Sequence, residues 1–428
     1  MIKKYYPDIE ETLYESTLQS GMRVLILPKP GFAKTEVELA VRFGSLDVSA
    51  TKVSPLQKID FPQGIAHFIE HLLFESEETN PTAHFARIGA AVNAYTTYDK
   101  TTYYFSTTNG AAAGIKLLLD MVLKPRFDAK SVQKEAEIIA QEIMMYEDDF
   151  EQMIYNDLIG KLYWEHPIRN DIAGTVDSVK ATDIKTLLEA YELFYHPHNL
   201  YMVIVGDVDA EALLELLETE TQKYPAKPWN LSERGVVSEP IHLQTPSETL
   251  HKDISVPMLM MGLRLNLPTA TSAMESALSD VKLSFLMGGI FGKGGKPYQS
   301  LMKKHLINDS FDFFSNIEKT YGHVIFFTET KRPQATLEAI TAELKKLMAS
   351  DPDKTQFLLA KRKMIGEYLQ VYNNVSHLAN FLLEYLMKDI NLFDFFFALG
   401  RMEYDEMAKI RETIVIDSLC AMNYHPQR

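Results

Sequence analysis

A single cysteine, Cys420, in 428 residues excludes an intramolecular disulfide and a thiolate cluster for a metal. Histidine and carboxylate must do any metal binding, and a reducing cytoplasm is the expected compartment. Long apolar runs are missing too. No stretch approaches the roughly 20 residues of a membrane span, and the opening Met1-Ile-Lys-Lys-Tyr-Tyr-Pro has no apolar core of a secretory signal. Phe285 to Phe291 is broken by Gly288 and Gly289 and reads as the end of a core helix. Positive charge is short, with 43 Lys and Arg against 58 Asp and Glu, so the net charge of -15 offers no footprint for nucleic acid or anionic lipid. A neutral or basic substrate or partner fits better. What remains is the make-up of a soluble globular protein, 46% apolar and 24% charged. It is too long for one core, so two or more domains are expected.

The stretch Gly64-Ile-Ala-His-Phe-Ile-Glu-His-Leu-Leu-Phe-Glu75 organises the rest. On a helix, Glu70 lies about 60° to one side of His67 and His71 about 40° to the other, while Ile65, Phe68, Ile69 and Leu72 gather opposite. Such a helix has a back to bury and a polar front. Two imidazoles at i and i+4 can both reach one Zn²⁺, and a carboxylate beside the second can poise a water as general base. The order H-x-x-E-H is the inverted zincin motif.

Upstream, Met22 to Leu27 and Thr35 to Arg42 read as strands joined by a turn at Pro28 to Gly31. Downstream, Ala83 to Ile88 is a short helical piece. Ala91 to Thr97 and Thr101 to Thr107, rich in β-branched and aromatic residues, form a hairpin around Tyr98-Asp-Lys. Helices follow over Ala111 to Leu123 and Ala129 to Tyr146, the second with Val132, Ala136, Ile139, Ile143 and Tyr146 as its apolar repeat. Glu135 and Glu142, seven apart, edge that stripe, and a two-histidine site short of a third protein ligand gives them a use. His84, His166, His196 and His198 read as surface residues. Leu200 to Gly206 is a buried strand.

Residues 226–245, with Pro228 and Pro240 between Pro225 and Pro246, read as a linker between an N-terminal domain at 1–225 and a C-terminal one at 246–428. The second half opens with a strand from Ser255 to Leu265 and a helix from Ala270 to Met287. His323 to Thr330, then helices over Pro333 to Met348 and Thr355 to Tyr372, repeat the layout of 102–146. The halves are thus expected to be two similar α+β units, each a mostly antiparallel sheet with helices packed on it. Ala270 to Met287 holds no histidine, so only the first unit can carry the metal. Gly288 to Lys296 lacks the spacing of a phosphate loop and reads as a flexible joint.

Phe43-Gly-Ser45, His67-Phe-Ile-Glu-His71, Asn93-Ala-Tyr-Thr96, Glu135-Ala-Glu-Ile-Ile-Ala-Gln-Glu142, His166-Pro167, Ile172-Ala-Gly-Thr175 and Val205-Gly-Asp-Val208 follow in an order that resembles the pitrilysin/insulinase family of inverted-zincin metallopeptidases, in particular its small bacterial, processing-peptidase-like members. The resemblance spans nearly the whole chain. It implies one zinc per chain held by His67, His71 and Glu142, with Glu70 as general base and Glu135 as an assisting carboxylate. It implies an edge strand at Asn93, Ala94, Tyr95 and Thr96 that takes an extended peptide substrate, and half of a clamshell built from two such chains. The pattern departs in one place. Self-sufficient members carry an arginine and a tyrosine after the glycine-rich loop, where this chain has Met302 and Asp309. The expectation is a zinc endopeptidase that draws the missing pair from a related chain, with a homodimer as second choice. A non-cleaving peptide-binding or scaffold subunit is the alternative from another class, and hydrolysis of a small molecule in a pocket is a third.

Overall fold

The computed structural model describes the chain apart from residues 54–55, 75–79, 148, 225–228, 230, 232–233, 235–236, 238, 241–246, 268–271, 350–352 and 428. The first half runs β1 (Ile2–Tyr6), β2 (Glu11–Thr17), β3 (Arg23–Pro28), β4 (Thr35–Val41), β5 (Ser49–Val53), β6 (Leu56–Asp60), α1 (Ile65–Phe74), α2 (Pro81–Arg87), β7 (Ala90–Thr96), β8 (Thr101–Thr107), α3 (Ala111–Leu123), α4 (Ala129–Glu147), α5 (Phe150–Leu162), α6 (Val176–Ala181), α7 (Ile184–Phe194), β9 (Leu200–Gly206) and α8 (Ala210–Thr221). The second half runs β10 (Ser247–Lys252), β11 (Met258–Arg264), α9 (Ala273–Phe291), α10 (Lys296–Lys303), β12 (Asp312–Ile317), β13 (Gly322–Glu329), α11 (Pro333–Ala349), α12 (Lys354–Val371), α13 (Val375–Met387), α14 (Leu392–Arg401), α15 (Met407–Arg411) and β14 (Cys420–Pro426).

The duplication expected from the sequence is written in the sheets. The larger sheet has the order β1-β2-β3-β9-β4-β8-β7, and the second has β10-β14-β11-β13-β12. Its last five strands match the second sheet strand for strand. β3 with β9 and β10 with β14 are the parallel pairs, and the other three pairs in each set are antiparallel. β8, α3 and α4 correspond in order to β13, α11 and α12.

The core of each unit follows from strand alternation. On β4, Val37, Leu39 and Val41 join the buried cluster with Ile65, Phe68, Ile69 and Leu72 of α1, while Glu36 and Glu38 point to the opposite face. On β11, Leu259, Met261 and Leu263 meet Leu283, Leu286 and Met287 of α9 and Leu337, Ile340 and Leu344 of α11.

The contiguous division at 225–245 needs correction. One compact unit comprises Met1–Glu147, Asn170–Arg234 and Gln370–Phe393, and the other comprises Asp148–Arg169, Gly235–Leu369 and Asp394–Arg428. Each sequence half therefore gives a helix to the other unit. α13 lies on the far face of β4 and β9, where Ser376 Oγ donates to Glu36 Oε2 at 2.7 Å and Asn380 Nδ2 donates to the Tyr95 hydroxyl at 2.7 Å. α5 covers the far face of β11 and β14. Gly262 admits it closely, since a Cβ there would stand 2.8 Å from Leu162 Cδ1. The reason is the second face of each sheet: α3 and α11 lie on the core side, so the far face needs a helix that comes later in the repeat. Most of 226–245 lies outside the described residues. Gly292 to Gly295 joins α9 to α10.

Candidate metal centre

α1 begins at a backbone crossing. Gly64 has φ +82°, and a Cβ on it would stand 2.2 Å from the Ala173 carbonyl oxygen. Gly174, at φ +79°, meets the Gln63 carbonyl in the same way at 2.5 Å. Only glycine tolerates both the left-handed conformation and the contact. Ser178 Oγ adds a hydrogen bond to the Gln63 carbonyl at 2.9 Å. From this anchor Ile65, Ala66, Phe68, Ile69, Leu72 and Leu73 enter the core, and the face with His67, Glu70 and His71 meets α4.

His71 Nε2 lies 3.2 Å from Glu142 Oε2, and His67 Nε2 lies 3.8 Å from the same oxygen. The two rings stand edge to face with centroids 4.6 Å apart. One ligand atom from each of His67, His71 and Glu142 falls within 4.8 Å of the others, the one such group among the described residues. Ligand atoms around a tetrahedral zinc stand about 3.3 Å apart, given bonds of roughly 2.0–2.1 Å. The donor set and its spacing therefore fit the ion, and they leave a fourth position for water.

Glu135 is not in that group. Its carboxylate lies 3.4 Å from His71 Nδ1 and is almost wholly buried. A proton on Nδ1 shared with Glu135 fixes the ring with Nε2 facing Glu142, the way a carboxylate orients a metal-binding imidazole. His67 has no such support: its Nδ1 is buried without a hydrogen-bond partner.

Charges follow from these contacts. Burial and the adjacent His71 push His67 down to about 4, so its ring is neutral. Burial also opposes charge on His71, but Glu135 and Glu142 outweigh it and raise the group to about 9. The hydrogen bond with His71 holds Glu142 below the usual carboxylate range, against burial. Burial raises Glu70, while the Thr96 hydroxyl, donating to Glu70 Oε2 at 2.6 Å, works against that rise. A carboxylate raised in this way is a better base toward water than an exposed one.

Thr96 ends β7, the outermost strand of its sheet among the described residues. Thr97 N–H donates to the Lys100 carbonyl at 2.8 Å. By the alternation of an antiparallel ladder, Tyr95 and Asn93 then turn their main-chain groups toward β8, and Ala94 and Thr96 turn theirs outward. The Ala94 N–H is capped by the Asn93 side chain, Oδ1 accepting at 2.9 Å. An unpaired strand edge thus runs up to the general-base candidate.

Other expectations divide. His84 and His198 are exposed. His166 and His196 are buried, correcting their assignment to the surface. His166 Nδ1 accepts from Ile168 N–H at 3.2 Å and its Nε2 pairs with Thr320 Oγ1 at 3.1 Å, which satisfies a ring that the sequence alone leaves exposed in a turn. His196 Nδ1 accepts from His198 N–H at 3.3 Å. Tyr146 corrects the other way: it stands in the apolar repeat but is 40% exposed. Met302 is half-buried against the core of its own unit, and Asp309 is exposed after α10.

An H-x-x-E-H helix paired with a carboxylate helix, on a duplicated α+β scaffold, places the chain in the class of inverted zincins. It belongs to the insulinase family, peptidase family M16. That family's profile matches residues 59–176, and the profile described as the peptidase M16 inactive domain matches residues 183–364. The uncharacterized zinc protease YmfH of Bacillus subtilis strain 168 is 32% identical over 424 residues, 99% of this chain and 98% of the relative. A crystal structure of an M16-like peptidase from Alicyclobacillus acidocaldarius matches all of both chains at TM-score 0.92 and 30% identity. Pitrilysin matches in fold at TM-score 0.77 and 16% identity, over 99% of this chain and 46% of that one. No helix among the described residues is long and apolar enough to cross a membrane.

Proposed function

We propose that the chain is a zinc-dependent endopeptidase with one zinc held by His67, His71 and Glu142, cleaving peptides or unfolded segments. The observation that carries this reading is the convergence of those three ligand atoms within 4.8 Å beside Glu70. A bound zinc would lower the pKa of a water and polarise the scissile carbonyl. Glu70 takes a proton from the attacking water as the new carbon–oxygen bond forms, and returns it to the leaving amine as the carbon–nitrogen bond breaks. Thr96 fixes which way that carboxylate points. The outward main-chain groups of Ala94 and Thr96 pair with an extended peptide, so recognition is of backbone and favours unfolded substrates inside a closed chamber.

Met302 and Asp309 supply no donor for the oxyanion that forms on attack, and losing one such donor costs roughly 10²–10³ in rate. The chain is therefore proposed to work with a related chain that brings an arginine and a tyrosine, a homodimer being the second choice. A reducing cytoplasm fits the lone, buried Cys420. The test is cleavage of a quenched, unstructured peptide by the zinc-loaded chain, alone and mixed with such a chain. Slow cleavage alone and acceleration by orders of magnitude in the mixture support the reading. Full activity alone removes the partner, and no cleavage in either arm favours a peptide-binding scaffold.

A further inference from the structure

We infer that Arg234 is a positioning residue for the substrate strand β7, a role that rests on the edge-strand reading above. β7 is the outermost strand of its sheet among the described residues, so β8 holds one side of it and the other is left for a peptide. Its place at the Thr96 end is therefore set by what holds the turn between β7 and β8. That turn closes on itself, Thr97 N–H donating to the Lys100 carbonyl at 2.8 Å and Thr97 Oγ1 to Asp99 Oδ1 at 2.9 Å. The loop after β4 holds it from outside. Ser45 N–H donates to the Thr97 carbonyl at 3.1 Å and Leu46 N–H to the Tyr98 carbonyl at 2.9 Å. The approach is so close that a Cβ on Gly44 would stand 2.5 Å from the Tyr98 carbonyl oxygen.

One guanidinium ties loop and turn together. Arg234 Nε donates to Asp47 Oδ1 at 2.7 Å and Nη2 to Asp47 Oδ2 at 2.5 Å, while Nη2 also donates to the Asp99 carbonyl at 2.8 Å. Asp47 is buried, and its Oδ2 accepts from Gly44 N–H at 2.8 Å, which closes the loop. Neutralising that carboxylate needs only the first two bonds of the arginine. The third goes to the turn of the substrate strand. The segment that brings Arg234 has a second anchor in Trp229, stacked on His196 and His198 with centroids 5.9 and 6.2 Å apart and donating from Nε1 to the Leu193 carbonyl at 3.2 Å. Hydrogen bonds weaken steeply with distance and angle, so a displaced turn costs a peptide its pairing with Ala94 and Thr96. His67, His71 and Glu142 stand on α1 and α4, and zinc binding should not follow.

Arg234→Met leaves a buried carboxylate unpaired and lowers the melting temperature whatever else the arginine does. Two variants separate the roles. Asp47→Asn/Arg234→Met removes both charges and keeps an acceptor for Gly44, and Arg234→Lys keeps the charge beside Asp47 without the planar fork. Both should recover most of the melting temperature. Each should still bind a labelled, unstructured peptide roughly tenfold more weakly than the wild type, the equivalent of one or two main-chain bonds. Fluorescence anisotropy on the metal-free full chain, which cannot cut the peptide, reads this. With zinc, KM should rise by the same factor, kcat should change much less, and zinc affinity by chelator competition should match the wild type. Peptide affinity that recovers together with the melting temperature would overturn the role, leaving Arg234 as the partner of Asp47. Zinc affinity that falls with peptide affinity would overturn it as well. A wild type that binds the peptide but never cuts it removes the peptidase and leaves the comparison of variants intact, whereas one that binds no peptide removes the strand reading itself.

Discussion

The two units use one strand plan for different ends, and the contrast is sharpest where a helix meets an edge strand. In the first, Glu70 of α1 accepts from Thr96 of the edge strand β7 at 2.6 Å. In the second, Ser284 of α9 meets Ser315 of the edge strand β12 at 2.9 Å, with Asp280 at 3.4 Å from the same hydroxyl. The polar bridge from helix to edge recurs. A carboxylate sits on it in one unit and a hydroxyl in the other, and α9 carries no histidine beside the hydroxyl. The recurring bridge thus carries an H-x-x-E-H helix in one copy alone, and the profile that matches the second half is described as an inactive domain.

Removing groups from each copy in turn breaks the comparison most directly. His71→Ala should abolish zinc binding and peptide cleavage, whereas Ser284→Ala should leave both within about twofold. Metal content by atomic absorption and turnover of the quenched peptide check both. Zinc retained in His71→Ala would move the metal elsewhere.

Glu135→Gln comes next in size. It keeps the shape and removes the charge that orients His71, so zinc affinity or turnover should fall roughly 10–100-fold with the metal-free fold intact. A chelator competition reads the affinity. An unchanged value would reduce Glu135 to a buried ion-pair partner.

A smaller effect separates the two bridges. Thr96→Val removes the hydrogen bond that holds the Glu70 carboxyl down against burial, so the carboxyl rises further. The base form is then lost at higher pH, and the acid limb of the kcat/KM profile should shift upward. Ser315→Ala should leave the profile where it was. A downward shift for Thr96→Val would contradict the assignment of Glu70 as base.

The smallest effect concerns the helix that each half gives away. Under α13, burial first and Glu36 second push Glu38 up to about 8. Raised above its unfolded value, this group binds its proton in the folded chain and not in the unfolded one between about 4.5 and 8. Its contribution is therefore present at low pH and lost as pH rises through that window. Glu38→Gln should melt like the wild type near pH 5 and later than it at pH 8.5. Equal melting at both would mean that the carboxyl is ionised beneath α13.

Much of this protein was legible in its residues. The spacing of His67, Glu70 and His71 defined a helix with a polar front, because intervals of three and four share a face whatever the fold. β-Branched and aromatic runs marked β7 and β8, and the recurring order of strand, helix and helix exposed the duplication. Local geometry needs only local sequence. What the sequence could not settle were matters of which surfaces meet. Glu135 and Glu142 looked alike on one edge of α4, and only the fall of α1 across that helix put one against Nδ1 of His71 and the other against Nε2. His166 looked exposed in its turn until Thr320, 154 residues away, paired with it. The division of the chain was misplaced for the same reason. A linker can be read from prolines, but burial is decided by contact, and the far face of each sheet is covered by a helix from the other half of the chain.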